Sequence, residues 1–298
     1  MTERPGDFQV DEIQADQIRK TAAFLRRSFP HAHQMTDDYL RWFYLDNPDG
    51  RTLCSDCIQN SKLVGHVALT PLVANVYGNV ERGVLVNSVA TDPDLVRRGL
   101  FTDLLTAGLE AATERGFTFA IAVPNSQSIG TFVKRTGFTS LGPLEARIGI
   151  SRPPPPTHPV EFAFERQWSP AGLRWRLSNP GAFYHREHRG DRLVIDADSG
   201  TLGIRVELAS FDRIHEAVEE ESSPLESNPR STGPLSQMPI HLYVGIDARR
   251  TWRLHASTNI PMPMRPAPLN LVMRDLTAQA RKWTRESTHF RALDFDAF

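Results

Sequence analysis

The sequence predicts an α/β fold built from two tandem domains, each with a mixed twisted sheet flanked by helices. In the first half, segments with helical periodicity alternate with segments rich in β-branched residues. A proline run, SRPPPPTHP at 151–159, then excludes a continuous helix or sheet. Beyond it, LRWRLSNP (173–180) resembles LRWFYLDNP (40–48), which indicates an internal repeat or, alternatively, a chance likeness of two helix ends.

Length and charge limit the classes of partner. The 298 residues correspond to about two domains of roughly 150 residues each. With 34 basic and 35 acidic residues the net charge is −1, which gives no electrostatic reason to expect nucleic acid or an anionic membrane as a partner. The polar start MTERPGDFQVDE does not resemble a signal peptide, and no apolar run has membrane-spanning length. We therefore predict a cytoplasmic protein that acts on small molecules.

The first half contains helices and strands in a definite order. Two helices come first. Thr36 is a candidate N-cap at the start of the second helix, and Pro48 ends that segment. Strand-like and helical runs then follow in turn. These predicted elements are helices at 11–29 and 36–48, strands at 62–78 and 82–91, a helix from Gly99 to about Arg115, a strand at 117–124, a helix at 126–136 and a strand at 144–150.

A short turn between a strand and a helix has the residues of a phosphate site. In TDPDLVRRGLFTDLL (91–105), Gly99 opens the helix and follows Arg97 and Arg98, and Thr102 adds a hydroxyl in the first turn. The first N–H groups of a helix lack partners and carry partial positive charge, so a phosphate can bind there. The alternative is an ordinary turn with solvated arginines.

Two motifs in this order resemble the GNAT superfamily of acyl-CoA N-acyltransferases. VRRGLF (96–101) stands where that family has its pyrophosphate turn, in the form of the RGLF-type subgroup, and PNSQSIGTFVKRTGF (124–138) matches the following Asn, helix and Gly-Phe. The resemblance covers residues 1 to about 149. It implies acetyl-CoA or another acyl-CoA as cofactor, contacted by Ser88, Val89, Ala90, Arg97, Arg98, Gly99, Leu100, Phe101, Thr102 and Asn125.

The same resemblance implies where acid–base groups belong. Many members use a tyrosine in the helix after the Asn, but Phe132 and Val133 stand there and cannot donate a proton. The polar candidates for the catalytic site are Asn87, Asn125, Ser128 and, by likeness to multi-domain aminoglycoside acetyltransferases, the carboxylate of Phe298. The alternatives are that Asn125 caps its helix, that Ser128 merely packs, and that Phe298 packs into the second domain.

The second half is expected to be a degenerate GNAT-like domain. It has no Arg-x-x-Gly turn before a helix, and the acidic, Ser/Pro-rich stretch 216–239 takes the corresponding place. We predict an acyl-CoA-binding domain at 1–150, a linker at 151–159 and a cofactor-free domain at 160–298. That domain would form a wall of the acceptor pocket, a homodimer surface or a brace.

The cysteines and histidines do not predict a metal site. Cys54 and Cys57 form a lone CxxC, and the His-rich stretches at 31–33 and 185–188 have no carboxylate or cysteine cluster beside them. The predicted function is acetyl transfer from acetyl-CoA to a primary amine of a small molecule. The alternatives are a catalytically silent CoA-binding or scaffold protein and a tRNA-dependent peptidyl-transferase-like enzyme.

Overall fold

The structure is a computed structural model that describes residues 7–92, 99–157, 159–199, 203–212, 240–253, 255–265 and 269–295. The helices in these ranges are α1 (Ile18–Ser28), α2 (Asp37–Tyr44), α3 (Leu100–Glu114), α4 (Ile129–Arg135) and α5 (Pro170–Leu177). The strands are β1 (Asp7–Glu12), β2 (Leu53–Gln59), β3 (Lys62–Val76), β4 (Asn79–Thr91), β5 (Phe119–Ala122), β6 (Thr139–Pro143), β7 (Glu145–Gly149), β8 (Phe164–Arg166), β9 (Tyr184–Arg189), β10 (Arg192–Asp198), β11 (Ile204–Asp212), β12 (Ile240–Ile246), β13 (Ser257–Asn259), β14 (Asn270–Asp275) and β15 (Thr288–Arg291).

One continuous mixed sheet runs through both halves of the chain. Its main path is β6-β14-β5-β4-β3-β8-β15-β12-β11-β10-β9. Off this path, β2 pairs with β3 and with β1, and β7 pairs with β12 and with β13. The long strand β3 makes this continuity possible, because its first part pairs with β2 while Ala74, Asn75 and Val76 pair with β8 of the second half.

Helices cover both faces of the sheet in the first half. Side chains of α1, α2 and α5 share one hydrophobic cluster, which includes Leu25, Leu40 and Leu173. Leu104 of α3 and Phe132 of α4 belong to a second cluster on the other face. Because β5 lies between these layers, all four of its residues are buried, as expected for a strand without polar alternation. The helices predicted from Gly99 to about Arg115 and at 126–136 are confirmed as α3 and α4, and each of their ends lies one to three residues inside the predicted bound.

Two strands cross the domain boundary predicted near residue 150. The segment 144–150, expected to complete the first unit, forms β7 and pairs with β12 of the second half. The second half returns β14, which lies between β5 and β6. Arg281 anchors β14 through ion pairs with Asp275 (2.9 Å) and with Glu81 (2.7 Å) at the start of β4. The boundary itself stays a prediction, but the two halves exchange strands across it.

The second half repeats the strand order of the first. β9, β10, β11 and β12 pair antiparallel, antiparallel and parallel, as β2, β3, β4 and β5 do. Each series follows a helix of eight residues whose N-cap hydroxyl accepts an N–H three positions later, from Tyr39 to Thr36 and from Gly172 to Ser169. This agreement supports the tandem arrangement inferred from the Leu-Arg-Trp repeat, and it confirms Thr36 as the N-cap.

The repeated tryptophans contact each other reciprocally. Trp42 Nε1 donates to the backbone carbonyl of Trp175 at 2.7 Å, and Trp175 Nε1 donates to the carbonyl of Trp42 at 2.8 Å. Their rings stack with centroids 5.1 Å apart. Equivalent atoms of α2 and α5 therefore make equivalent bonds, which is the geometry of an approximate twofold axis between the two helices.

Two sequence-based boundaries are wrong. The helix predicted to start at residue 11 starts at Ile18, because residues 7–12 form β1 on the open edge of β2. The strand predicted at 82–91 starts at Asn79, because its pairing with β3 continues to the pair of Val76 and Asn79. In the described part of the chain, no helix combines the length and the apolar character that a membrane crossing needs.

Candidate functional site

The central strands β4 and β5 are paired over only part of their length. Gly83 to Val86 pair in parallel with Phe119 to Ala122, and β4 then continues for five residues while β5 ends. Between the buried residues Val86 and Ala90, residues 87–89 are half-exposed. Among the described residues a gap therefore opens in the middle of the sheet, beside the part of β4 that extends beyond β5, and an extended ligand can add there as a strand.

A β-bulge lies at the start of this gap. His66 and Ala68 of β3 face Ala90 and Asn87 of β4, so β4 has one residue more than β3 over this interval. Ser88 has a φ of +47°, in the left-handed region that a residue with a side chain rarely adopts. Such bulges turn backbone groups out of the ladder, which makes them available at a site.

Helix α3 follows β4 in the chain and has Gly99 as its N-cap. The Asp103 N–H donates to the Gly99 carbonyl at 2.9 Å, so the N–H groups of residues 100–102 precede the first helical bond. Gly99 has a φ of +104°, and among the described residues beyond its chain neighbours the nearest atom to a Cβ placed there is a carboxylate oxygen of Asp103 at 3.9 Å. This open space at a helix N-terminus fits a pyrophosphate, although the arginines preceding Gly99 must outweigh the charge of Asp103.

Asn125 and Ser128 lie together at the start of α4. The Asn125 side-chain oxygen accepts the N–H of Gln127 at 3.0 Å, the N–H of Ser128 at 3.1 Å and the Ser128 hydroxyl at 3.0 Å. Asn125 is exposed, on the β5 side of the gap. The Asn125 side-chain oxygen therefore caps the start of α4, as the capping interpretation expects.

Asn87 is held in place from β3. Its amide donates to the Thr70 hydroxyl at 2.8 Å and to the Leu85 carbonyl at 3.0 Å, and its oxygen accepts the Ser88 hydroxyl at 3.0 Å. An amide fixed in this way positions Ser88 rather than acting as a base. Phe132 is buried against Phe101 and Phe138, as its apolar character predicts.

Beneath the bulge lies a polar group that sequence reasoning missed. Tyr44, the last residue of α2, and His66 of β3 are both fully buried. The Tyr44 hydroxyl lies 3.2 Å from His66 Nε2, and His66 Nδ1 lies 2.6 Å from a carboxylate oxygen of Asp56 on β2. A histidine inside the apolar run of β3 was the signal that could have revealed it, because a buried imidazole needs hydrogen-bond partners.

A family model matches the part of the chain that carries these features. Residues 9–140 match the model of the acetyltransferase (GNAT) domain. Residues 9–140 of the chain are a GNAT domain. This GNAT domain is that of an acyl-CoA-dependent N-acyltransferase, with acetyl-CoA as cofactor, and its residues include the bulge, the gap and the α3 N-terminus. No curated protein has a sequence that matches this chain significantly.

Solved structures share the fold of the GNAT domain and of the second half. A GCN5-related N-acetyltransferase from Anabaena variabilis ATCC 29413 superposes with a TM-score of 0.60 at 13% identity, covering 91% of this chain and 73% of that chain. Eis1 from Mycobacterium abscessus gives 0.55 at 16%, covering 91% and 75%. A GCN5-related N-acetyltransferase from Kribbella flavida gives 0.57 at 12%, covering 91% and 71%. The similarity to these structures therefore extends over both halves of the chain and not over the GNAT domain alone.

Three predicted site residues lie outside the described part of the chain. These are Arg97, Arg98 and Phe298. The remaining predicted residues of the GNAT domain, Asn87 to Ala90, Gly99 to Thr102, Asn125 and Ser128, are distributed around the gap between β4 and β5 and the helix starts beside it. Among the described residues, no group of three or more His, Cys, Asp or Glu side chains is arranged to hold a metal ion.

Proposed function

We propose that the chain transfers an acetyl or other acyl group from acyl-CoA directly to a primary amine of a small molecule. The observation that carries the proposal is the gap between β4 and β5, bordered by the Ser88 bulge and by the open N-terminus of α3. A net charge of −1 supports a small acceptor over a polyanion or a strongly basic protein.

Each side of the gap has a role in this proposal. The N–H groups of Leu100, Phe101 and Thr102 would bind the pyrophosphate, with Gly99 allowing close approach. The backbone of residues 88–90 would bind the pantetheine amides in the manner of an added strand. The cofactor supplies an activated thioester. On the protein side, Asn125 and Ser128 would orient the reacting group from the opposite side of the gap.

Calorimetry with acetyl-CoA, followed by a thiol-release assay over a panel of primary amines, tests this function. Saturable binding with thiol release that depends on one class of amine is expected. Binding without release for any amine would instead favour a catalytically silent CoA-binding protein. Release that requires an aminoacyl-tRNA would favour the peptidyl-transferase alternative.

One acetyl-CoA is expected to bind per chain. The strands β11 and β12 repeat the parallel pair β4 and β5, but the sequence of the second half has no Arg-x-x-Gly turn before a predicted helix. Calorimetric stoichiometry near one would agree with this prediction. The Gly99→Leu variant provides the control, because a second site would retain one equivalent of binding after the first is blocked.

The carboxylate of Phe298 stays a proposal for the proton acceptor. A carboxylate with the ordinary terminal pKa of about 3.5 is ionised at neutral pH and can accept a proton through water. Appending glycines after Phe298 moves this charge, so a fall in turnover with unchanged affinity for acetyl-CoA is expected. Unchanged turnover in the extended protein would contradict the role.

A further inference from the structure

A series of hydrogen-bonded side chains runs from the start of β2 across β3 to the bulge of β4. Thr52 lies directly before β2, and its hydroxyl oxygen is 3.0 Å from that of Thr70 on β3. Asn87 of β4 donates from its amide nitrogen to the Thr70 hydroxyl at 2.8 Å, and the Asn87 oxygen accepts the Ser88 hydroxyl at 3.0 Å. Direct hydrogen bonds therefore connect Ser88, the bulge residue with a φ of +47°, to β3 and to the start of β2.

Only the bulge end of this series reaches the gap. Asn87 and Ser88 are half-exposed there, whereas Thr52 and Thr70 are buried, with 0% and 3% of their surface exposed. A ligand in the gap therefore does not contact the Thr70 hydroxyl directly. Any effect of this hydroxyl on the site must act through Asn87.

The surroundings of Asn87 determine which way its amide group points. The amide nitrogen donates to the Thr70 hydroxyl and also to the Leu85 carbonyl at 3.0 Å. A carbonyl oxygen only accepts hydrogen bonds, so the reversed amide would place its own oxygen against the oxygen of Leu85. The observed orientation therefore directs the Asn87 oxygen at Ser88, whose hydroxyl donates to it.

The conformation of the bulge depends on support of this kind. For a residue with a side chain, the left-handed region is less stable than the extended region, so an unsupported Ser88 would relax towards regular strand pairing. A fully satisfied hydrogen-bond network makes one conformation rigid. Loss of the Thr70 hydroxyl would remove one of the two acceptors of the Asn87 amide nitrogen, and the amide would then be free to turn away from Ser88. The backbone groups of residues 88–90 would change direction in the gap.

We propose that Thr70 is a positioning residue for the cofactor arm, an inference that rests on the proposed function. Acting through Asn87, its hydroxyl holds the Ser88 bulge in the conformation that pairs with the pantetheine amides. The N-terminus of α3 lies on a separate element and binds the pyrophosphate without this support. The two parts of the cofactor are therefore recognised by separable groups, and Thr70 affects only the arm.

Thr70→Val tests this role, because valine has the shape of threonine without its hydroxyl, and Thr70→Ser keeps the hydroxyl. Calorimetry measures two Kd values for each protein, one for acetyl-CoA and one for the nucleotide part of CoA, which has the pyrophosphate but no pantetheine arm. Their ratio reports the contribution of the arm. Thr70→Val is expected to lower this ratio by about fivefold or more, as for the loss of one buried hydrogen bond, with an unchanged Kd for the nucleotide part. Thr70→Ser should keep the wild-type ratio.

Thr288→Val is the matched control for loss of a buried threonine hydroxyl. Thr288 of β15 is also fully buried, and its hydroxyl donates to the Thr284 carbonyl at 2.7 Å. This variant should lose stability but keep the wild-type ratio of the two Kd values. A wild-type ratio in Thr70→Val, or an equal fall in Thr70→Ser or Thr288→Val, would overturn the proposal. If the wild type does not bind acetyl-CoA, the proposed function itself fails.

NMR of the Asn87 side-chain amide provides a readout in the free protein. Its two N–H resonances, assigned from their loss in Asn87→Asp, are expected to move in Thr70→Val and to stay close to the wild-type positions in Thr70→Ser and Thr288→Val. Resonances that ignore the loss of the Thr70 hydroxyl would contradict the link between Thr70 and the bulge, whether or not the protein binds CoA.

Discussion

Replacing Gly99 with leucine is expected to weaken acetyl-CoA binding by at least ~2 kcal/mol, which is roughly 30-fold in Kd. A side chain there would occupy space beside the α3 N-terminus, where the described residues place no atom closer than 3.9 Å to a Cβ, apart from the chain neighbours. The pyrophosphate would then lose one or two charge-assisted hydrogen bonds to the first N–H groups. Calorimetry with acetyl-CoA measures the effect directly.

Gly116→Leu is the matched control for this prediction. Gly116 follows the other end of the same helix, has a φ of +80° and leaves open space around its Cα, with no atom within 4 Å of the place a Cβ would take. Leucine at either position costs about 1–2 kcal/mol of backbone strain, so both variants should lose similar stability. Only Gly99→Leu should lose acetyl-CoA affinity. Wild-type affinity in Gly99→Leu, or equal losses in the two variants, would show that the pyrophosphate binds elsewhere.

Replacing Trp42 with alanine is expected to lower the free energy of unfolding by ~3–5 kcal/mol, and Trp175→Ala by a similar amount. Each change removes a large buried ring and leaves the carbonyl of the other tryptophan without its indole donor. Because the two rings share one contact, their losses should not add. A double-mutant cycle in urea should give a coupling of ~1–3 kcal/mol.

Trp283 provides the control for the hydrogen-bond part of this loss. It is also buried, but its Nε1 has no hydrogen-bond partner among the described residues. Trp175→Phe should therefore be more destabilising than Trp283→Phe by ~1–3 kcal/mol, since it removes the indole donor of the buried Trp42 carbonyl. Additive losses at Trp42 and Trp175, or equal effects of the two phenylalanine variants, would contradict the reciprocal contact as an energetic link between the halves.

Local signals predicted the elements around the cofactor site correctly. Thr36 caps α2, Gly99 precedes α3, and the apolar run at 117–124 contains β5, because caps, left-handed glycines and unbroken apolar runs act over a few residues. The order of these elements also supported the resemblance to the GNAT superfamily. The Leu-Arg-Trp repeat could also be recognised from the sequence, because both copies are short helix ends with a similar local pattern.

The sequence by itself determined the four helices of the first half, four of its strands and the repeated helix, but not β1, β2 or β6. Only the tertiary structure decided which edges the strands occupy: β7 joins β12 and β14 lies beside β5, because strand pairing depends on which backbone edge is free in space. It also brought Asp56, His66 and Tyr44 together. Each is an ordinary residue of its own segment, and their chemistry arises because burial forces polar groups from separate elements to satisfy one another.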